Sequence, residues 1–354
     1  MRLSGLQEKL KLWGLDAILV CNPFNCRYLS GFSGGADAWL IITACEAFII
    51  SDFRYRTQIA QEVAGYTYIE ASDRLISSAA SLMREKKIKR CGYEPDRLTV
   101  DIFQCLQHEV RGCVFKPVQE ALAAMRSIKD EAEIRRIACA AAIADRAFMR
   151  LLDILRAGMS EKDIACELDY LMRKEGGDAN AFATIVASGA NAAKPHHLPS
   201  MRRLQKGDFV TIDFGCVFEG YCSDATRTLA VGKVSEEMVR VYALVLEAQR
   251  IALRALEHQR DAVLIDAAAR DYFEEHGCAL FFGHGLGHGV GLEVHEAPRV
   301  SKRSRDRLQA GMVTSIEPGL YYAGQYGVRI EDLCLIKETG YENLTSLSKE
   351  LIIL

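Results

Sequence analysis

The sequence contains no apolar run that approaches the roughly 20 residues required by a membrane-spanning helix, which excludes a helical membrane protein. Its N-terminal segment, MRLSGLQEKLKLWGL, carries charges throughout and lacks the apolar centre of a secretory signal peptide. It also lacks any Cys-x-x-Cys pair, and its 12 cysteines are scattered among apolar stretches. These absences predict a cytoplasmic protein in which most of the thiols are reduced and buried.

The sequence also lacks a strong excess of charge of either sign. Its formal net charge is −3, so neither nucleic acid nor an anionic membrane is predicted as a partner. One basic cluster is interrupted by serine and aspartate and is therefore expected to be a solvated loop; it comprises Lys302, Arg303, Arg305 and Arg307. Hydrophobic residues at 49% and charged residues at 26% are typical of a soluble globular protein, and a length of 354 residues favours two domains.

The first predicted domain covers residues 1–124, in which helix-like and strand-like segments alternate. An apolar helical stripe comes first and the buried run Ala17–Cys21 follows it, which predicts a smaller α/β domain. The stripe comprises Leu3, Leu6, Leu10 and Trp13. Further strands are predicted at Trp39–Thr43, Ala47–Ser51, Tyr66–Ile69 and Arg90–Tyr93, and helices at Tyr55–Val63, Leu75–Lys87 and Val100–Val110.

The second predicted domain covers residues 125–354 and opens with a long helix. Ser127 or Asp130 is its expected N-cap, because both side chains can accept a hydrogen bond from the first helical turn. Three more helices are predicted among strand-like segments, at Glu161–Lys174, Ser235–Glu257 and Asp261–Glu275.

Side chains suited to binding metal ions occur at separate points of the second domain: Asp213, Asp224, His288, Glu317 and Glu331. They lie in the segments TIDFG, CSDATRT, GHGLGHGVGLEVHE, SIEPG and GVRIED. Four carboxylates and one imidazole suit a pair of divalent ions such as manganese better than a structural zinc. Two ions about 3.5–4 Å apart can hold a hydroxide and stabilise a hydrolytic displacement, so a two-metal hydrolase is predicted.

Strand periodicity indicates that these side chains can reach one cavity. In DFVTIDF, Asp213 alternates with apolar residues that face the other way. The chain then turns near Glu219–Gly220 and returns through Asp224, so a hairpin would bring both aspartates to one polar face. In GVRIEDLCLI, Arg329 and Glu331 share one strand face with Leu333, and in VTSIEP, Ser315 and Glu317 share one face. A lone strand carboxylate is usually a solvated edge residue, but the full set favours a shared site.

The glycine-rich stretch GHGLGHGVG is compatible with neither of two common motifs. His288 occupies the third glycine position of a dinucleotide-binding fingerprint. His284 and His288 have the spacing of a zinc-protease helix, but no glutamate follows His284, and alternating glycine disfavours a helix. The DFG triplet is not a kinase signature, because the other kinase segments are absent. Glycines here would instead let the backbone pass close to metal and substrate.

These motifs, with SGANAAKPHHLPS and GMVTSIEPGLYY, resemble those of the pita-bread metallopeptidases in order and spacing. That group includes methionine aminopeptidase, Xaa-Pro aminopeptidase, prolidase and the metal-free creatinase, and the whole chain is similar to its Xaa-Pro aminopeptidase and prolidase branch. The first 120 or so residues resemble the creatinase-type N-terminal domain. The resemblance implies an α+β fold class, in which a C-terminal pita-bread domain follows a smaller α/β domain.

The same resemblance implies the metal ligands. Asp213 would bind one ion, Asp224 and Glu331 would bridge both ions, and His288 and Glu317 would complete the second. Two divalent ions are therefore implied, with manganese favoured and cobalt or zinc as alternatives.

The resemblance also implies catalytic roles. Glu317 would be the general base. Metal binding lowers the pKa of water toward about 7, which would supply the nucleophile near neutral pH. His196 would assist at the scissile amide and His295 would lie near the scissile carbonyl. Arg329 would orient Glu331 or a substrate group.

The predicted activity is hydrolysis of the bond between an N-terminal residue and proline, in short peptides with proline in the second position. A dipeptidase should hold the C-terminal carboxylate with a cation, for which Arg299 is a candidate; dipeptides and longer peptides both stay open. A homodimer is implied by the resemblance. The alternatives are a broader aminopeptidase and a non-catalytic peptide- or protein-binding module on the same fold.

Other residues near the motifs carry weaker signals. His197 and His284 are expected to be neighbours of the site, and Tyr321 is as compatible with core packing as with a pocket wall. Cys216 and Cys222 lie between two predicted ligands, where inert burial is favoured over oxidation sensitivity.

Overall fold

The computed structural model describes residues 2–354, apart from the side chains of residues 119 and 120. Residue 1, at which the predicted first domain begins, lies outside the described residues. The chain forms two compact units, of which the first ends at Met125 and the second comprises Arg126–Leu354. In the described part of the chain, no helix has the length and apolar character required to span a membrane.

The first unit is built around one mixed β-sheet. Its strands are β1 Ala17–Val20, β2 Ala38–Thr43, β3 Ala47–Ser51, β4 Thr67–Glu70, β5 Arg90–Tyr93 and β6 Val114–Pro117. The helices up to residue 127 are α1 Arg2–Trp13, α2 Pro23–Ser30, α3 Arg56–Glu62, α4 Leu75–Glu85, α5 Val100–Glu109 and α6 Gln119–Ser127. The strand order is β4-β3-β2-β1-β5-β6, with β2 antiparallel to both of its neighbours and the remaining pairs parallel.

The predicted strands and helices of the first unit occur close to their expected bounds, and its α/β character is confirmed. Strand β6 and helices α2 and α6 were not predicted from the sequence. A signal for α2 exists, because Asn22 accepts hydrogen bonds from the N–H groups of Phe24 and Asn25 and Pro23 occupies the first turn. β6 is a short and mostly exposed edge strand, so alternation is too weak to reveal it.

The second unit combines helices with several small antiparallel sheets. Its helices are α7 Glu131–Leu152, α8 Glu161–Lys174, α9 Glu236–His258 and α10 Ala262–Glu275. Its strands are β7 Ala179–Asn180, β8 Ile185–Ser188, β9 Phe209–Phe214, β10 Cys216–Phe218, β11 Tyr221–Cys222, β12 Ala225–Ala230, β13 Gly287–Gly289, β14 Glu296–Val300, β15 Val313–Ile316, β16 Gly319–Tyr322, β17 Tyr326–Arg329, β18 Asp332–Ile336 and β19 Tyr341–Asn343. The main sheets have the orders β12-β9-β8 and β14-β13-β15-β18-β19.

The helices of the second unit bury the apolar faces of these sheets. Helices α7 and α8 pack on β8, β9 and β12, and Phe148 stacks on Phe214 with ring centroids 5.0 Å apart. Helices α9 and α10 cover β15 to β18 through a second apolar cluster that includes Val245 and Phe273. Full burial of each such side chain contributes roughly 1.5–3 kcal/mol. Of the two predicted N-caps, Asp130 is the one that begins α7, in a capping box with Glu133.

The glycine-rich stretch is not helical, as predicted, and its residues Gly287–Gly289 form strand β13. β13 lies between β14 and β15. A side chain at Gly287 would collide with the carbonyl oxygen of Ser315, and one at Gly289 with that of Ala297. These glycines therefore allow close approach of neighbouring strands, which brings His288 between them.

Candidate metal centre

Asp213 and Asp224 reach one region from two paired strands. β9 and β12 are antiparallel with Asp213 opposite Thr226, and Asp224 immediately precedes β12. The connection folds back through the short pair β10 and β11, where Glu219 and Gly220 have φ values of 46° and 82°. The structure thus contains the predicted turn, with two extra strands between the residues it joins.

His288 and Glu317 approach from the neighbouring sheet. β13 pairs with β15, and Glu317 follows the end of β15, where its N–H donates a 2.8 Å hydrogen bond to the carbonyl oxygen of Leu286. His288 Nε2 lies 3.3 Å from Glu317 Oε1 and 3.6 Å from Asp224 Oδ2. Ser315 Oγ donates a 3.2 Å hydrogen bond to Glu317, so these two side chains share a face, as alternation predicts.

Glu331 completes the cluster from the segment between β17 and β18. Its backbone forms an isolated bridge with Thr226, and Thr226 Oγ1 donates a 2.7 Å hydrogen bond to Glu331 Oε2. Ligand atoms of Asp224, His288 and Glu331 all lie within 4.8 Å of one another. The structure therefore brings these three residues together directly, and Glu317 joins them through His288.

Asp213 faces the buried Arg329, which is only 4% exposed. The Arg329 guanidinium donates a 2.6 Å hydrogen bond to Asp213 Oδ2 and others to Thr226 Oγ1 at 3.1 Å and the Tyr321 hydroxyl at 2.9 Å. Arg329 thus contacts Asp213 directly and is connected to Glu331 through Thr226.

The oxygen atoms of this cluster are short of partners. Asp213 Oδ1 and Glu331 Oε1 are buried and accept no hydrogen bond from the described residues, which is costly for a carboxylate. Burial and, after it, neighbouring carboxylate charges raise the pKa values of Asp224 and Glu331 well above the usual range. Several buried carboxylates beside one imidazole suit a divalent cation. Such an ion would neutralise their charge and bind the oxygens that lack hydrogen-bond partners.

His288 interacts strongly with the acidic groups around it. Burial would lower the pKa of His288, but its contact with Glu317 and the charge of Glu331 raise that pKa to about 9. Burial opposes ionisation of Glu317, yet the contact with His288 lowers the pKa of Glu317 to about 2. Because a metal-bound imidazole is unprotonated on its ligating nitrogen, ion binding at His288 would release a proton.

The other predicted catalytic histidines lie around the cluster. The His295 ring centroid is 4.3 Å from that of His288. His196 is exposed in the loop after a 3₁₀ turn at Gly189–Ala193, and it interacts electrostatically with both His284 and His295. His295 therefore lies beside the cluster, whereas His196 makes no hydrogen bond to the cluster within the described chain.

Two further side chains support the site: the role of Thr226 was not predicted from the sequence, whereas for Tyr321 both a pocket wall and core packing were left open. Thr226 holds Glu331 and Arg329 together, and its two-residue spacing from Asp224 was a usable signal. The Tyr321 hydroxyl accepts a hydrogen bond from Arg329 and lies 2.9 Å from His284 Nε2, so Tyr321 adjoins the site. The GLYY context of Tyr321 carries no signal for this contact.

The cysteines near the site are buried. Cys216 and Cys222 are free thiols with little exposure, in agreement with the favoured interpretation. Burial raises the pKa of Cys216 to about 12, so its thiol is un-ionised and unreactive at neutral pH.

Family comparisons match both units of the chain. Residues 135–338 match the model of metallopeptidase family M24, and residues 2–128 match the creatinase/prolidase N-terminal domain. The chain belongs to metallopeptidase family M24. The predicted family and the predicted enzyme class, a metallopeptidase, are therefore confirmed.

Similar proteins extend this M24 assignment over the full length. The chain is 38% identical to the Xaa-Pro dipeptidase of Pyrococcus horikoshii, over 96% of this chain and 95% of that relative. The solved Xaa-Pro dipeptidase from Bacillus anthracis has a TM-score of 0.96 and 38% identity, with 100% of this chain and 99% of that chain covered. The X-Pro aminopeptidase from Thermotoga maritima has a TM-score of 0.93 and 37% identity, with 99% of each chain covered.

These similarities also confirm the predicted fold class, an M24 pita-bread domain preceded by a creatinase-type α/β domain. Membership of this metallopeptidase family implies divalent metal ions, and the cluster of Asp224, His288 and Glu331 has the chemistry to bind one. The identity and number of ions, the homodimer and the cytoplasmic location stay predictions.

Proposed function

We propose that this M24 protein hydrolyses the peptide bond between an N-terminal residue and a following proline in short peptides. The observation that carries the proposal is the cluster of Asp224, His288 and Glu331, in a chain similar over nearly its whole length to Xaa-Pro dipeptidases. Its buried carboxylates and single imidazole suit a hydrolytic metal centre.

Two divalent ions, with manganese as the first candidate, are part of this proposal. Asp213, Asp224 and Glu331 would hold one ion, and Asp224, Glu331, His288 and Glu317 would hold the other. The orphaned oxygens of Asp213 and Glu331 support these assignments. When bound, the ions would lower the pKa of water toward about 7 and polarise the scissile carbonyl.

The protein side chains then orient the substrate and move protons. Glu317, held by Ser315, accepts a proton from the attacking water. His295, whose ring lies beside that of His288, stabilises the carbonyl oxygen as negative charge develops on it. His196 assists at the nitrogen of the scissile amide, which must gain a proton to leave. Arg329 keeps Asp213 oriented through their 2.6 Å hydrogen bond.

The position of Arg299 favours dipeptides over longer peptides as substrates. It lies opposite His288 in the β13–β14 pair and is exposed. Cross-strand partners project from the same face, so the guanidinium can approach a carboxylate bound near His288. Its side chain has no ion pair with any described residue. In an Xaa-Pro dipeptide the free carboxylate lies on the proline itself, within reach of such a cation.

The first test compares Ala-Pro with Ala-Pro-Ala, using metal-stripped protein resupplied with manganese. Cleavage of Ala-Pro with little cleavage of the tripeptide is expected. The opposite preference would identify an Xaa-Pro aminopeptidase with an open cleft. Cleavage of neither peptide would contradict the proposal and favour a broader aminopeptidase or a binding role.

Arg299→Ala is expected to raise KM for Ala-Pro roughly 10- to 100-fold, since a hydrogen bond to a charged group contributes about 1.5–3 kcal/mol. The kcat/KM for Ala-Pro-amide, which lacks the carboxylate, should change little. Arg303→Ala, at an exposed arginine of the following loop, is the matched control. Equal losses of kcat/KM for Ala-Pro and for Ala-Pro-amide would rule out carboxylate binding by Arg299.

A further inference from the structure

One buried carboxylate outside the predicted ligand set contacts the segment that contains His196. Glu161 is the first residue of α8 and is 0% exposed. Ser160 already caps this helix through its contact with Asp163, so helix capping does not account for Glu161. Its hydrogen-bond donors instead come from residues 188–200, here named the anchored segment.

The Glu161 carboxylate accepts hydrogen bonds along the whole anchored segment. Oε1 accepts from Ser188 N at 2.8 Å, Ser188 Oγ at 2.7 Å and Asn191 Nδ2 at 3.1 Å. Oε2 accepts from Ser200 N at 3.1 Å and Ser200 Oγ at 2.6 Å, and lies 2.9 Å from His197 Nε2. Burial alone would raise the pKa of Glu161, but these hydrogen bonds lower it to about 2, so the group is ionised at neutral pH.

The anchored segment also contacts the metal centre. The carbonyl oxygen of Pro195, next to His196, accepts a 3.4 Å hydrogen bond from Arg329, which also donates to Asp213. The 3₁₀ turn of the segment lies so close to β17 that a side chain at Gly327 would collide with the carbonyl oxygen of Ala192. Glu161 and Arg329 therefore hold the backbone at different points around His196.

We propose that Glu161 is a positioning residue for His196. Its side-chain hydrogen bonds go to the anchored segment and, among the described residues, not to the cluster; it fixes the backbone from which His196 projects. A neutral side chain could fill the same volume, but it could not accept hydrogen bonds from this many donors. The inference rests on the proposed function insofar as His196 serves the scissile amide.

Glu161→Gln is expected to lower kcat for Ala-Pro by roughly 10- to 100-fold with a smaller change in KM, because misplacing a catalytic group by about 1 Å can cost that much. Glutamine keeps the volume but directs an amide N–H₂ at hydrogen-bond donors. Glu94→Gln is the matched control, because Glu94 is a buried carboxylate of the first unit that accepts from the N–H groups of Cys21 and Asn22. The control should leave kcat unchanged.

A double-mutant cycle separates positioning from general destabilisation. In a His196→Ala background, Glu161→Gln should cause little further loss of kcat, since the group that it positions is already absent. If the losses of kcat caused by the two substitutions multiply, Glu161 acts independently of His196 and the inference is overturned. Ser200→Ala removes one of the hydrogen-bond donors to Glu161 and should lower kcat by a smaller factor of roughly three to ten. This variant replaces Glu161→Gln in the test if Glu161→Gln does not fold.

Histidine ring NMR signals test the inference without activity. Glu161→Gln should shift the signals of His196 and His197 and leave those of His258 and His276, which are exposed near the ends of α9 and α10. An unchanged His196 signal would overturn the inference. If the wild-type protein cleaves no Xaa-Pro peptide, the proposed function fails, while these signals still decide whether Glu161 positions His196.

Discussion

Glu331→Gln is expected to abolish hydrolysis of Ala-Pro, a loss of at least about 1000-fold, while the fold stays intact. Glu331 is buried, and Thr226 occupies one of its oxygens while the other has no partner among the described residues. Glutamine keeps the volume but removes the negative charge and one oxygen beside Asp224 and His288. The cluster then loses a ligand that we assign to both ions.

Metal content and stability provide readouts besides activity. The variant should retain less manganese than the wild-type protein after gel filtration, measured by elemental analysis. Without added metal it should unfold at a higher temperature than the wild-type protein, because one of several crowded, buried carboxylates has been neutralised. Asp224→Asn should behave in the same way, and Glu338→Gln, an exposed change in the same unit, is the control. Full turnover by Glu331→Gln or Asp224→Asn would disprove the metal-centre assignment.

Arg329→Met is expected to lower the free energy of unfolding by about 3–5 kcal/mol, the largest stability effect predicted for this chain. The substitution removes the cation that donates to Asp213 and leaves that buried carboxylate without an opposite charge. It also removes the hydrogen bonds to Tyr321 and Thr226. Urea unfolding of the metal-stripped protein measures the effect.

A compensating change identifies the cause of this loss. Asp213→Asn in the Arg329→Met background should restore part of the stability, because no unpaired charge is then buried, but it should not restore activity, because Asp213 is an assigned ligand. Arg254→Met, at an exposed arginine of α9, should change stability by no more than about 0.5 kcal/mol. If Arg329→Met is as mild as this control, the ion pair with Asp213 contributes little to stability.

Much of the second unit could be predicted because its signals are local. Asp130 and Glu133 form a capping box, which is readable from four consecutive residues. Helix α8 begins and ends at the predicted residues, Glu161 and Lys174. Alternation along β9 indicated the face of Asp213, since side chains on a strand repeat every two residues. α2 was missed although its proline and N-cap signals are equally local.

The partners of individual side chains could not be predicted in this way. Alternation assigned Arg329 and Glu331 to one face, but the hydrogen bond from Arg329 to Asp213 joins strands far apart in the chain. The contact of Tyr321 with His284 depends on the packing of β16 beside the glycine-rich segment. Such contacts depend on sheet register and close packing, which short-range periodicity does not specify.

The sequence by itself determined the residue types of the proposed metal centre, the strand faces on which they lie and the family to which they point, because each depends on short motifs. Only the tertiary structure decided which oxygens lack partners and that Glu161 holds the loop containing His196. The physical reason is that the role of a buried carboxylate depends on the hydrogen-bond donors packed around it. For Glu161 those donors lie between Ser188 and Ser200. The packing of distant segments therefore decides which contacts the ligand residues predicted from the sequence make with one another.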